Sequence, residues 1–282
     1  MIIHNVQGAG GVQLHVREWG KPAGIPILLI HGWSQSHLCW MKQFESELSD
    51  EFRIIAADLR GHGMSDAPLQ VEQYTDGDKW ADDVAAIIDQ LTLHRPILVG
   101  SSYGGFVISD YVRKHGQTRI AGINFVGASV VLGEKAHPFI GPTFAENALA
   151  ACQPGLPSNI AAMRRFLRAL VAEPTSQEDF ELTLAFNMVV HPQVRAFLLQ
   201  RDLDFLPILE SIEVPVLVTQ GRSDTGLLSD MANLISKHSR TAETSWYDGV
   251  GHVPFLEEPE RFNRELASFA KRAHPGAAKA SP

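Results

Sequence analysis

The stretch Leu98-Val99-Gly100-Ser101-Ser102-Tyr103-Gly104-Gly105 decides how this chain is read. A short apolar run leads into a Gly-x-Ser-x-Gly frame, the pattern of a sharp strand-to-helix turn that lifts one serine clear of the backbone. Such a turn holds its central residue in a left-handed conformation, so the residues two positions to either side crowd unless they are glycine. Gly100 and Gly104 meet that demand for Ser102. Were Ser101 the centre, the crowded positions would fall on Val99 and Tyr103, so the frame selects Ser102 as the candidate nucleophile.

Working outward, three apolar runs start at or behind a proline: Pro26 to Ile30, Pro96 to Val99 and Pro215 to Val218. Proline is tolerated at the first residue of a strand, and unbroken apolar character suits strands covered on both faces of a parallel sheet. Phe52 to Ala57 and Ile120 to Val126 read the same way. Between them lie helical stripes. Trp80, Val84, Ile87, Ile88 and Leu91 fall on one face, with Asp82 and Asp83 near the positive end of the helix. Phe262, Leu266 and Phe269 repeat the spacing behind Pro259. This alternation predicts an α/β fold with a mostly parallel sheet between helices. The segment up to Trp19 reads as a leading hairpin turning at Gly8 to Gly11.

From about Ser129 to Leu206 the rhythm changes. Prolines and glycines between Pro138 and Pro157 give way to helical stretches at Ala161 to Val171 and Asp179 to Val189, and no strand is expected there. The segment reads as a helical cap inserted over the strand ends. The expected organisation is a core of residues 1–128 and 207–273, a cap of residues 129–206, and a flexible tail of residues 274–282.

At 282 residues, with 45% hydrophobic and 20% charged, the chain has the means for one large core that carries an insertion. Its net charge of −8 argues against a nucleic-acid partner. No uncharged apolar run reaches the roughly 18 residues that span a bilayer, so no membrane association is expected. The opening Met1-Ile2-Ile3-His4-Asn5 lacks a signal-peptide pattern, and Cys39 and Cys152 belong to no CxxC pair; both features suit a cytoplasmic enzyme with reduced thiols. Arg164, Arg165 and Arg168 read as a solvated helix face, with a gate for anionic substrates as the alternative. HExxH, Walker and dinucleotide GxGxxG patterns are absent, so neither cofactor nor metal is implied. Nothing in the sequence sets an oligomeric state.

A serine hydroxyl is a poor nucleophile at neutral pH and needs a base with an orienting acid behind it. Past the strand at Pro215 comes Thr219-Gln220-Gly221-Arg222-Ser223-Asp224, a carboxylate just beyond a strand end. Past a final strand-like run comes Tyr247-Asp248-Gly249-Val250-Gly251-His252, an imidazole in a glycine-flanked loop. Asp224 is also a favoured residue for capping the helix that follows. With twelve histidines in the chain, position rather than residue type singles out His252. His31 and His62 read as loop-shaping residues, and Cys39 as core.

Five blocks in order, His31-Gly32-Trp33, Asp58-Leu59-Arg60-Gly61-His62-Gly63-Met64-Ser65, the Ser102 turn, Gly221-Arg222-Ser223-Asp224 and Gly251-His252, make the chain resemble the α/β-hydrolase fold superfamily over essentially its whole length. The resemblance implies about eight strands with the cap after the sixth. It implies Ser102 as nucleophile, His252 as general base and then acid, Asp224 as the residue that sets the His252 tautomer, and the backbone amides of Trp33 and Tyr103 as an oxyanion hole. Within the superfamily, His31-Gly32-Trp33, the double glycine after Tyr103 and Tyr111-Val112-Arg113-Lys114-His115-Gly116 are similar to the cofactor-free haloperoxidase, perhydrolase and arylesterase group, although Tyr103 stands where that group has Met. Serine at the turn, rather than aspartate, points to acyl transfer. The implied activity is hydrolysis of small, largely apolar acyl or aryl esters, rising through roughly pH 6 to 7 as His252 becomes neutral. Carbon–carbon bond hydrolysis of diketones, a perhydrolase-like side activity and a non-enzymatic ligand receptor on the same scaffold are the alternatives.

Overall fold

The computed structural model describes residues 1–274, so the expected tail beyond His274 lies outside the described residues. An eight-stranded sheet is built from β1 (Ile2–Gln7), β2 (Gln13–Gly20), β3 (Pro26–Ile30), β4 (Arg53–Ala57), β5 (Ile97–Ser101), β6 (Gly122–Val126), β9 (Val216–Gly221) and β10 (Ala242–Tyr247). The strands lie in the order β1-β2-β4-β3-β5-β6-β9-β10. β1 and β2 form the expected hairpin, and β2 runs antiparallel to β4. From β4 to β10 every neighbouring pair is parallel.

The unbroken apolar runs are explained by a core on each face of the sheet. Along β3, Leu28 and Ile30 enter one buried cluster and Ile27 and Leu29 the other; along β5, Leu98 enters the first, with Ile97 and Val99 in the second. Because successive side chains of a strand point to opposite faces, a strand covered on both sides buries every position and so favours apolar residues throughout. Helices α1 (Gly77–Gln90) and α2 (Gly104–His115) cover the first face, while Phe262, Leu266 and Phe269 of α8 (Pro259–Ala273) cover the second. Asp83, expected merely to favour the start of α1, instead takes a buried bidentate pair from Arg60 at 2.8 and 2.7 Å, which ties the loop after β4 to that helix.

Between β6 and β9 the chain runs through α3 (Pro142–Ala150), α4 (Leu156–Ala169), α5 (Gln177–Val189) and α6 (Pro192–Leu198), before α7 (Ser229–His238) follows β9. The expectation that this stretch holds no strand is corrected by β7 (Val131–Leu132) and β8 (Leu203–Asp204), an antiparallel two-residue ladder. Elements this short carry no readable periodicity. They close the neck of the excursion, since Phe205 N also donates to Val130 O at 3.0 Å. Among the described residues no helix is long and apolar enough to cross a membrane.

Candidate active site

The parallel strands deliver all five site residues at their carboxyl ends, where open α/β sheets gather their chemistry. Ser102 follows β5 with φ of 53°, the left-handed conformation demanded by the sequence frame. A Cβ on Gly100 would lie 2.7 Å from Gly104 O, and one on Gly104 would lie 2.6 Å from Ile30 O, so neither position admits a side chain. The turn is held from both sides: Ser102 N donates to Val126 O at 3.1 Å, and Ser102 O accepts from Gly105 N and Ser129 N.

Asp224 and His252, from loops after β9 and β10, meet through an Nδ1 to Oδ2 hydrogen bond of 2.7 Å. The Asp224 carboxylate is held by three more donations. Gly226 N and Leu227 N reach Oδ1 at 2.8 and 2.9 Å, and Gln220 Nε2 reaches Oδ2 at 3.1 Å while spanning to the Gly221 and Leu227 carbonyls. Asp224 thus meets the His252 ring and fastens its own loop; the expectation that it caps the following helix is corrected, since that helix starts at Ser229 with Leu228 at its N-cap and the two amides Asp224 holds lie in the loop before it. Burial favours the neutral imidazole of His252, but the charge and hydrogen bond of Asp224, aided by Glu257, outweigh it and hold the pKa above its ordinary value. This moves the expected rise of activity upward in pH.

Ser102 and His252 form no hydrogen bond with each other, yet both line one cavity of about 20 Å³, with Trp33, Phe166, Leu170 and Phe255 among its walls. That is room for about one water. The turn after β3 passes directly beneath, where a Cβ on Gly32 would lie 2.9 Å from Ser102 Cβ and 3.6 Å from its Oγ. Among the described residues, neither Trp33 N nor Tyr103 N donates to a protein acceptor. Their side chains are occupied elsewhere: Trp33 Nε1 donates to Arg195 O at 3.1 Å, and the Tyr103 ring packs edge-on against Trp80 and Phe106. Tyr103 also caps the N-terminus of α2, where the helix dipole favours negative charge.

His31 and His62 take the loop-shaping role expected of them. His31 Nε2 accepts from Leu59 N and His62 Nε2 accepts from Ser34 N, so each ring carries its proton on Nδ1, which bonds Gly32 O and Arg60 O respectively. Burial lowers their pKa values to about 4 and about 3, which keeps both neutral. Burial pushes the Cys39 thiol well up and the Cys152 thiol to about 11, so neither supplies a thiolate.

Two supporting residues escaped sequence reasoning. Glu257 accepts from Gly251 N at 2.9 Å and Ala172 N at 2.7 Å, which joins the His252 loop to the segment behind α4; His252 N itself donates to Leu170 O at 2.7 Å. Arg195 on α6 is fully buried with no carboxylate partner among the described residues. Its guanidinium donates to Ser34 Oγ at 2.9 Å, Ala151 O at 2.9 Å, Asn159 Oδ1 at 2.8 Å and Asn187 O at 2.6 Å. Burial lowers its pKa to about 10, so it stays charged at neutral pH. Nothing in a lone Arg-Ala-Phe tripeptide signals such a role; Glu257 likewise reads no differently from Glu258.

The chain is similar to known proteins over most of its length. The profile of the family described as "Alpha/beta hydrolase family" matches residues 27–265. A solved structure of a candidate aryl esterase from Burkholderia cenocepacia superposes with a TM-score of 0.91 at 34% identity, covering 96% of this chain and 99% of that one. The esterase RhEst1 from Rhodococcus sp. ECU1013 does so with a TM-score of 0.91 at 33% identity and the same coverage. A non-heme chloroperoxidase from Streptomyces lividans is 29% identical over 282 aligned positions, covering 94% of this chain and 99% of the relative.

Proposed function

Since the chain belongs to the alpha/beta hydrolase family and is a hydrolase, we propose that it cleaves carboxylic esters of small, largely apolar acyl or aryl groups through an acyl-enzyme intermediate. The observation that carries this reading is the meeting of a left-handed Ser102 with the Asp224–His252 pair on one apolar cavity, beside two backbone amides without internal acceptors. In the proposed sequence, His252 Nε2 takes the Ser102 proton as Oγ attacks the ester carbonyl. The amides of Trp33 and Tyr103 receive the developing oxyanion, and removing one such donor typically costs about 100- to 1,000-fold in rate. The imidazolium, stabilised by Asp224, then returns the proton to the leaving alcohol. Water activated by the same His252 attacks the acyl-enzyme, releases the acid and restores Ser102.

The helices between β6 and β9 act as a cap in this reading, because Phe166 and Leu170 close the cavity over Ser102. The chloroperoxidase name of the Streptomyces relative fits a side reaction in which hydrogen peroxide takes the place of water in deacylation and yields a peracid. Steady-state turnover of an ester panel graded by acyl and alcohol size tests the proposal, with Ser102→Ala as control. Preference for short acyl groups and a loss of about 10⁴- to 10⁶-fold in the variant are expected. A Ser102→Ala protein that retained most of its turnover would overturn it.

A further inference from the structure

A second cavity, of about 520 Å³, adjoins the small one and shares Gln35, Leu170 and Val253 with it. Its inner wall is apolar, with Leu167, Leu184 and Leu256 contributing, and Arg164 and Arg168 line it one helical turn apart on α4. Both guanidiniums stand over the ring of Phe180 on α5, at 5.7 and 5.1 Å from its centroid. Unlike Arg113, Arg222 and Arg261, each of which has a carboxylate, Arg164 and Arg168 have neither a hydrogen bond nor an ion pair among the described residues. The carboxylate that shares the cavity wall, Glu181, accepts from Gln177 Nε2 at 2.7 Å. Like charges at this helical spacing repel, in a chain with 32 acidic residues against 24 basic ones. Both side chains are exposed at the cavity wall, on the solvated helix face expected from the sequence, and an anion entering the cavity would meet two cations without a carboxylate partner among the described residues.

Building on the esterase reading, we propose that this cavity binds the far end of the substrate, and that this end is a carboxylate on an apolar stem. The substrate class is then a half-ester of a dicarboxylic acid. Its ester group sits at Ser102, its methylene stem runs past Leu170 and Leu167, and its free carboxylate is received by Arg164 and Arg168. Two guanidiniums meeting one carboxylate make charge-assisted hydrogen bonds, while the apolar inner wall covers the stem.

The test compares monomethyl with dimethyl esters of a dicarboxylic series from four to ten carbons, read as the ratio of their kcat/KM values. In the wild type the ratio is expected to peak at one chain length at about tenfold or more. It should fall several-fold in 1 M NaCl, where the screening length shrinks to about 3 Å. It should also collapse towards one in Arg164→Gln/Arg168→Gln and recover largely in Arg164→Lys/Arg168→Lys. Turnover of the dimethyl esters with a ratio at or below one throughout, or a ratio that the double glutamine variant leaves in place, overturns the inference while leaving the esterase reading intact. Calorimetric titration of suberate into Ser102→Ala protein tests the anion site without catalysis. Saturable binding lost in Ser102→Ala/Arg164→Gln/Arg168→Gln supports it even if no ester is turned over, and absence of saturable binding overturns it.

Discussion

Two buried imidazole–carboxylate pairs sit in this molecule with nearly the same geometry: His252–Asp224 at 2.7 Å and His37–Asp58 at 2.8 Å. Distance and burial do not tell them apart; what surrounds them does. His252 shares a cavity with a serine, whereas His37 is packed against the rings of His15 and Trp19, and its Nε2 is buried with no partner among the described residues. Asp58 spends its oxygens on the local backbone, with Oδ1 accepting from His37 N and Oδ2 from Met64 N. Burial opposes its charge, but the His37 hydrogen bond and these further partners hold its carboxyl below the usual range. An imidazole oriented by a carboxylate can move protons only where its outer nitrogen meets open space and a reacting group. Without them the same motif is a turn fastener.

This contrast is open to direct attack. Asp224→Asn is expected to lower ester kcat by about 10⁴-fold through the wrong tautomer of His252. Asp58→Asn should leave turnover per folded molecule within about tenfold but cost about 3 kcal/mol of stability, because a buried pair loses one partner. Denaturant melts and active-site titration of both variants measure this; equal loss of kcat at unchanged stability would erase the distinction. A smaller effect concerns pH. The kcat/KM of the free enzyme should rise as His252 loses its proton, and because its pKa is raised, the midpoint belongs above 6.5. Asp224→Asn removes the attraction that raises it, so its residual activity should rise at lower pH than in the wild type, while Asp58→Asn should leave the midpoint in place. The smallest effect is expected from Glu257→Gln. It weakens one of two backbone anchors, costs about 1 kcal/mol of stability, and shifts the acid limb downward by less than Asp224→Asn does, as pH–rate profiles will show.

Much of the fold was legible because burial on both faces writes itself into composition: β3, β5 and β9 appear as apolar runs, and the stripe on α1 as helical spacing. The Ser102 turn was legible for a steric reason, since only glycine fits two positions to either side. Asp224 and His252 were found through their places after strands rather than through any local signal. The rest is side-chain geometry between segments distant in sequence. No periodicity reports that Ser34, Ala151, Asn159 and Asn187 converge on Arg195, or that Gly251 and Ala172 share Glu257. The β7–β8 ladder is too short to carry a pattern, and Arg164 and Arg168 announced their charge without their surroundings.

The Arg195 side chain has a mechanical consequence. One cation joins α6 to Asn159 of α4, Asn187 of α5, Ala151 behind α3 and Ser34 of the sheet-borne turn, whose neighbour Trp33 carries one of the two amides proposed to receive the oxyanion. A wholesale swing of these helices would strand a bare charge in an oily interior, so the roof behaves as a riveted plate. In the proposed esterase reading, substrate admission then falls to small rotations of side chains at its rim, and the Trp33 amide keeps its place beside Ser102 from one turnover to the next.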